Sequence, residues 1–377
     1  MLSATNWVRR SFFKIMPGVY ISYPFCAQKC TYCNFASGVF PVALEPGYLE
    51  ALRNEIRNTT WAWTPETVYL GGGTPSLIDP EALAAVLSGI PGEWQETACQ
   101  ETTMEAAPGG ITPEKAAAWR RSGINRVSLG VQSFNARELA RTGRKHTAEV
   151  VEHEIGVLRA AGIGNFNIDL IAGLPGQTLE SWNRSLDWTV NLDAPHVSVY
   201  MLEVDEDSRL GAEVMAFGKR YGAPDIPSDD QIADFYEIAV ERLAQVGIAR
   251  YEISNFARPG FESRHNLKYW RREPYLGFGA DAHSFDGIWR WQNPESIEDY
   301  LSGSKPERTP ADPTAERLFL GLRLTEGITS ANPGDWSPFQ SAIESHIKDG
   351  LLETDGNVLR LTSRGVLLSN EVFAEFV

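Results

Sequence analysis

Six short runs recur through the first half of the chain, at 18–25, 67–70, 102–106, 125–132, 166–171 and 197–202, five of them rich in Val, Ile, Leu, Tyr and Phe and the third reading Thr-Thr-Met-Glu-Ala. Runs of this length and composition read as strands. Between them the apolar positions recur three and four apart. Leu49, Leu52 and Ile56 share one face of a helix over 45–59. Further helices are read at 80–87, 113–120, 148–160 and 179–190. Asp79-Pro80 opens the first of these as an N-cap followed by proline, and Thr112-Pro113 opens the next. Strand and helix alternating six times predict parallel βα units. The pattern alone does not separate an open barrel from a doubly wound sheet. Either architecture places chemistry at the carboxyl ends of its strands.

Beyond 203 the rhythm changes. A long amphipathic helix is read over 228–246, with Ser228 as N-cap, and 250–285 is dense in aromatics and glycine. From 310 the chain reads as a small second domain. It has helices at 314–324 and 339–349, Gly350 as a C-cap, a hairpin over 351–362 turning at Asp355-Gly356, and a last helix over 363–376. That order is winged-helix-like. The expected organisation is an N-terminal segment 1–17, a barrel with its extension 18–285, a linker 286–309 and a C-terminal domain 310–377.

Composition narrows the function. A chain of 377 residues exceeds what one core usually serves, which agrees with two domains. A net charge of −15 argues against a nucleic-acid binder, whose surface is normally basic. No apolar run approaches the ~20 residues needed to span a bilayer. The first residues carry basic side chains but no long apolar core, so no signal peptide is read. A cytoplasmic protein is expected, with peripheral membrane association left open.

The candidate chemistry begins at Cys26-Ala27-Gln28-Lys29-Cys30-Thr31-Tyr32-Cys33, which holds three of the four cysteines. Three clustered thiolates suit an iron–sulfur cluster or zinc. Zinc needs a fourth ligand, and no histidine lies nearer in sequence than His146. A cubane on three cysteines leaves one iron open to a small chelating cosubstrate. Cys99 stands apart, reads as a buried apolar thiol, and cannot build a second cluster alone. Gly71-Gly72-Gly73-Thr74-Pro75 follows the second strand, where missing Cβ atoms let backbone approach a ligand. A G-x-G-x-x-G fingerprint is absent. Glu105, Gln132 and Asp169 also fall at the active end, and a carboxylate in mid-strand such as Asp169 needs partners.

The CxxxCxxC spacing resembles the radical S-adenosylmethionine (SAM) superfamily. In that family the amine and carboxylate of SAM chelate the open iron, and the reduced cluster cleaves SAM to a 5′-deoxyadenosyl radical. From Gly18 to Val377 the chain is similar to the HemN/HemW group, on YISYPFCAQKCTYCNF, GGGTP, TMEAAPGG, SLGVQSFN, GRKH and NIDLIAGLPGQT. This group comprises oxygen-independent coproporphyrinogen III dehydrogenases and the haem chaperones derived from them. The resemblance implies an α/β fold, a partial (β/α)6 TIM-like barrel with a small winged-helix-like C-terminal domain. It implies a [4Fe-4S] cluster on Cys26, Cys30 and Cys33. Tyr20, Tyr32, Gly72, Thr74 and Glu105 would line the cluster-bound SAM. Gly73, Gln132, Arg144 and Asp169 match positions that bind a second SAM in the dehydrogenases, and Arg144 could pair there with a carboxylate.

One departure bears on the branch. The dehydrogenases read CxxxCxxCxC, and here the last position is Phe35. Together with His265-Asn266-Leu267-Lys268-Tyr269-Trp270, an HNxxYW motif, this resembles the haem chaperones. That branch implies haem as cargo, with His265 the favoured axial ligand among six histidines and Tyr269 and Trp270 flat surface for the macrocycle. His283 is a second candidate ligand. The expected function is delivery of haem to haem-dependent proteins such as respiratory enzymes, with an electron donor as a further partner. The alternatives are radical decarboxylation of coproporphyrinogen III to protoporphyrinogen IX, a radical SAM enzyme of another substrate class, and a zinc-binding module without catalysis.

Overall fold

All six expected strands form and lie side by side in chain order. They are β1 (Gly18–Tyr23), β2 (Thr67–Gly72), β3 (Glu101–Ala106), β4 (Arg126–Gln132), β5 (Asn165–Ala172) and β6 (His196–Met201), each parallel to the next. The computed structural model describes residues 17–92, 101–330 and 334–377, so the expectations for Cys99 and for 1–16 lie outside the described residues. Parallel neighbours need crossovers. Helices Glu45–Asn58, Pro80–Leu87, Pro113–Arg121, Ala148–Ala160 and Leu179–Asn191 supply them. The Asp79 carboxylate caps its helix by accepting from the N–H groups of Glu81 and Ala82.

Alternation along the strands divides the sheet into two faces. Val19, Ile21, Val68, Leu70, Met104, Val127, Leu129, Ile168, Leu170, Val197 and Val199 are fully buried beneath the helices. Each contributes about 1.5–3 kcal/mol of apolar burial. The intervening positions are Tyr20, Tyr69, Glu105, Ser128, Asp169 and Tyr200. Tyr69 on β2 has its pKa raised by burial first, and then by Glu105, Asp169 and Tyr200. Asp169 and Tyr200 lie on β5 and β6, which in a flat sheet would be ~14–19 Å away. The sheet therefore curls into a partial barrel, and its polar face becomes the lumen.

The sheet continues past both edges of this unit. β7 (Ala249–Arg250) and β8 (Asn255–Ala257) run antiparallel beside β6. β9 (Tyr275–Phe278) returns to the far edge parallel to β1, and β10 (His283–Phe285), β11 (Trp289–Gln292) and β12 (Arg308–Pro310) follow it antiparallel. Among the described residues the sheet has twelve strands. The expected linker 286–309 instead carries β11, helix Ile297–Leu301 and the start of β12. Strands of two to four residues offer too few positions for alternation to register. The long helix forms as Asp229–Gln245, with a capping box between Ser228 and Gln231.

The C-terminal unit holds helices Pro313–Gly321 and Gln340–Lys348 beside a three-stranded antiparallel sheet. Its strands are β13 (Ile328–Thr329), β14 (Leu352–Asp355) and β15 (Val358–Leu361). Two details differ from expectation. Asp355 still pairs with Val358, so the turn residues are Gly356 and Asn357. Gly356 has φ +60, which suits the first central position of a type II′ turn. The last helix is two pieces, Ser363–Leu367 and Ser369–Ala374, because Leu368 leaves the helical region at φ −112 and ψ 27. No helix among the described residues is long and apolar enough to cross a membrane.

Candidate functional site

The cysteine loop leaves the carboxyl end of β1 and is closed at its base. Cys26 N–H donates to Gly38 O at 2.8 Å, and Gly38 N–H donates to Pro24 O at 2.9 Å. The glycine run after β2 braces it, with Gly73 N–H on Tyr23 O at 2.7 Å and Thr74 N–H on Phe25 O at 2.9 Å. A Cβ on Gly73 would sit 2.7 Å from Phe25 O, and one on Gly71 would sit 3.1 Å from both the Glu105 carboxylate and the Tyr20 hydroxyl. These two glycines are thus needed for packing against the protein itself, as well as for any ligand. Gly72 has φ +103, which a larger side chain would strain.

Cys26, Cys30 and Cys33 are free thiols, each half-buried. Burial raises the Cys26 pKa, hydrogen bonds from Thr74 and Ser37 oppose that, and the Cys33 and Cys30 sulfurs add to it. As the loop stands, no three His, Cys, Asp or Glu side chains among the described residues are arranged to hold a metal ion. Tyr32, within the loop, and Arg144 both hydrogen-bond Cys30. Burial works to lower the Arg144 pKa, but Tyr32 and the Cys30 sulfur outweigh it. Arg144 also donates to Gly130 O at 2.5 Å.

Glu105, Gln132 and Asp169 face the lumen above β3, β4 and β5. Burial lifts Glu105 from 4.5 to about 7, while the Tyr69 hydroxyl donates to it at 2.9 Å. Asp169 is raised by burial and steadied by Ser198, Asn167 and Ser128; Asn167 Nδ2 donates to it at 2.6 Å. The buried Asp169 carboxyl thus has the partners its position requires. Gln132 sits at φ +69, where a non-glycine residue is uncommon. Its Oε1 and the Arg144 Nε are buried without a hydrogen-bond partner. Buried polar atoms left open in this way fit a lumen built to receive a polar ligand.

The HNxxYW motif forms helix Arg264–Trp270, below this level. His265 is 1% exposed. Its Nδ1 bonds the Thr67 hydroxyl at 2.9 Å and its Nε2 the Tyr269 hydroxyl at 2.7 Å. Burial lowers its pKa to about 3, with Lys268 and Arg126 adding to the effect. The expectation of His265 as axial ligand meets a ring with no free nitrogen. Tyr269 and Trp270 do reach a cavity of about 350 Å³ that opens to the surface. Tyr20, Tyr275, His283, Phe285, Arg272 and Arg290 also line it. Tyr20 touches both levels, since its hydroxyl approaches Gly71 beside Glu105.

Several residues that frame the site were not foreseen. Thr31 N–H donates to Thr142 O at 3.2 Å, at the end of helix Ala136–Thr142, and Leu210 N–H donates to Thr31 O at 2.7 Å. Asn34 Nδ2 donates to the Asp205 carboxylate at 2.9 Å. These partners lie far along the chain, and no local pattern announces them. The lumen network of Ser128, Asn167 and Ser198 had a readable signal, since each is a polar residue at an alternate position within an apolar strand.

The family model described as Radical SAM superfamily matches residues 20–189, and that of the HemN C-terminal domain matches 309–368. The chain is 34% identical over 381 residues to the Heme chaperone HemW of Bacillus subtilis, covering 96% of this chain and 99% of that protein. It is 37% identical over 374 residues to the Heme chaperone HemW of Mycobacterium tuberculosis H37Rv, covering 94% and 93%. The structure of coproporphyrinogen III oxidase (HemN) from Escherichia coli superposes with a TM-score of 0.78 over 96% of this chain and 90% of that one, at 23% identity, which is a likeness of fold. The chain therefore belongs to the HemN/HemW group of the radical SAM superfamily.

Proposed function

We propose that this protein is a haem chaperone on a radical SAM scaffold, which binds haem and passes it to haem-dependent proteins such as respiratory enzymes. The observation that carries the reading is similarity along nearly the whole chain to proteins named Heme chaperone HemW. Two features support it. Phe35 stands where the dehydrogenases carry a fourth cysteine, and it is 67% exposed. The Tyr269 and Trp270 side chains line an open aromatic cavity rather than filling the core.

In this reading Cys26, Cys30 and Cys33 hold a [4Fe-4S] cluster, with the Thr74 and Ser37 hydroxyls against Cys26. Tyr20, Tyr32, Gly72, Gly73, Thr74, Glu105, Gln132, Arg144 and Asp169 surround SAM. The Glu105 carboxylate suits the cationic sulfonium, and Arg144 suits a carboxylate. When bound, the cluster supplies the electron for reductive cleavage of SAM, delivered by a separate donor. The protein works in the cytoplasm. Hemin titration followed by transfer to an apo acceptor tests the proposal. Failure of hemin to bind, or binding without transfer, would remove its support.

A second reading, an oxygen-independent coproporphyrinogen III dehydrogenase, is favoured by one observation. The open polar atoms of Gln132 and Arg144 leave partners for a second SAM beside Asp169. Absence of SAM cleavage by the cluster-loaded protein would sink it.

A further inference from the structure

We propose that His283, rather than His265, supplies the axial nitrogen to haem, held in the cavity between β10 and the Tyr269–Trp270 pair. The inference rests on the haem-chaperone reading and sharpens it to a site.

An axial histidine needs a free ring nitrogen at a cavity large enough for a macrocycle edge. Four of the six histidines fail on hydrogen bonding or burial. His265 and His196 have both nitrogens bonded and are 1% and 0% exposed. His146 bonds Val131 O at 3.1 Å beneath the lumen wall, and both nitrogens of His346 are buried within the C-terminal unit. His153 is exposed on helix Ala148–Ala160 and is not part of the aromatic cavity's lining. His283 is exposed at the first position of β10 and lines the aromatic cavity. Among the described residues its ring makes no hydrogen bond. Burial lowers its pKa, with Asp281 opposing and Arg290 adding to the effect, which favours the neutral ring that a metal ligand needs. The competing oxygen ligands are phenols. Burial raises the pKa of Tyr20, Tyr269 and Tyr275, which keeps them protonated.

The rest of the cavity matches a porphyrin. Tyr269 and Tyr275 meet edge to face at 4.6 Å, and Phe285 lies under the guanidinium groups of Arg290 and Arg272 at 4.3 and 4.7 Å. Both arginines are fixed by Glu316 of the C-terminal unit, at 2.5 and 2.6 Å. The two guanidiniums are the cations on the cavity wall that receive propionates. Asp281 and Glu273 are also on the wall, and Glu273 is paired with Lys268 at 3.0 Å. The cavity is open, so the chain supplies one axial ligand and leaves the opposite face of the haem free for an acceptor.

The test is hemin titration of the full chain, followed by the Soret band and low-temperature electron paramagnetic resonance, for wild type, His283→Ala and His265→Gln. Circular dichroism checks that each variant is folded. The expected result is a histidine-ligated spectrum in wild type and in His265→Gln. In His283→Ala the affinity should fall about tenfold or more, and added imidazole should restore the spectrum. A His283→Ala protein with unchanged affinity and spectrum overturns the inference and leaves the haem reading standing. So does a folded His265→Gln protein that loses the histidine signature. Wild type that binds no hemin overturns both.

Discussion

Replacing Glu105 by Gln removes one charge from the lumen while keeping the oxygen that accepts the Tyr69 hydroxyl. Burial is the main cause of the rise in the Glu105 pKa from 4.5 to about 7; the Tyr69 bond opposes it, Asp169 adds to it, and the Gly72 N–H opposes it. A carboxyl whose folded pKa is raised stabilises the fold fully below its unfolded value, and that contribution is lost as pH rises through the folded one. At about 1.4 kcal/mol for each tenfold change in proton affinity, wild type should lose about 2.5 kcal/mol relative to Glu105→Gln between pH 5 and pH 8. At pH 8 the variant should be the more stable protein, by about 3 kcal/mol. Equilibrium urea unfolding of both proteins without SAM, in steps of pH, reads this directly. Taking the difference cancels the histidines, which titrate in both. A cation bound beside Glu105 draws its pKa back down, so SAM affinity should rise with pH through 7 in wild type and not in the variant. A stability difference that stays flat from pH 5 to pH 8, or a variant less stable at pH 8, would refute the reasoning.

Other substitutions probe other parts of the account. His265→Ala leaves the buried Thr67 hydroxyl and the cavity-wall Tyr269 hydroxyl without this partner and should cost about 3 kcal/mol by urea unfolding. Gly73→Ala drives a Cβ into the backbone of Pro24 and Phe25, at 2.8 and 2.7 Å. It should cost about 2 kcal/mol and lower the iron bound per chain after anaerobic reconstitution. Gly47→Ala, in helix Glu45–Asn58 with nothing within 4 Å, should instead stabilise by about 0.5–1 kcal/mol and leave iron content unchanged. Glu316→Gln leaves Arg272 and Arg290 without their carboxylate. Because the arginines are partly solvated, the cost should be about 2 kcal/mol by urea unfolding, with weaker hemin binding.

The cysteines could be read as one loop because they are neighbours in sequence, and the βα rhythm was legible because each strand is long enough to alternate. The edge strands were not legible, since β7 and β13 have two residues each. The glycine run was readable as a backbone approach, but its tightest contact is with Phe25 O of the protein itself. His265 was the clearest limit of motif reading. HNxxYW gives residue types, whereas the bond that occupies Nδ1 comes from Thr67, 198 positions earlier. Asp169 went the other way. A carboxylate in mid-strand requires partners, and Ser128, Asn167 and Ser198 provide them from three strands.

The most direct measurement is haem transfer by the anaerobically reconstituted full chain. The protein would be loaded with hemin, mixed with an apo acceptor that gains a distinct spectrum on binding haem, and followed in time. A parallel sample would receive SAM, reductant and coproporphyrinogen III. The account predicts transfer to the acceptor and no protoporphyrinogen IX in the parallel sample. Decarboxylation of coproporphyrinogen III, with no haem passed on, would contradict it.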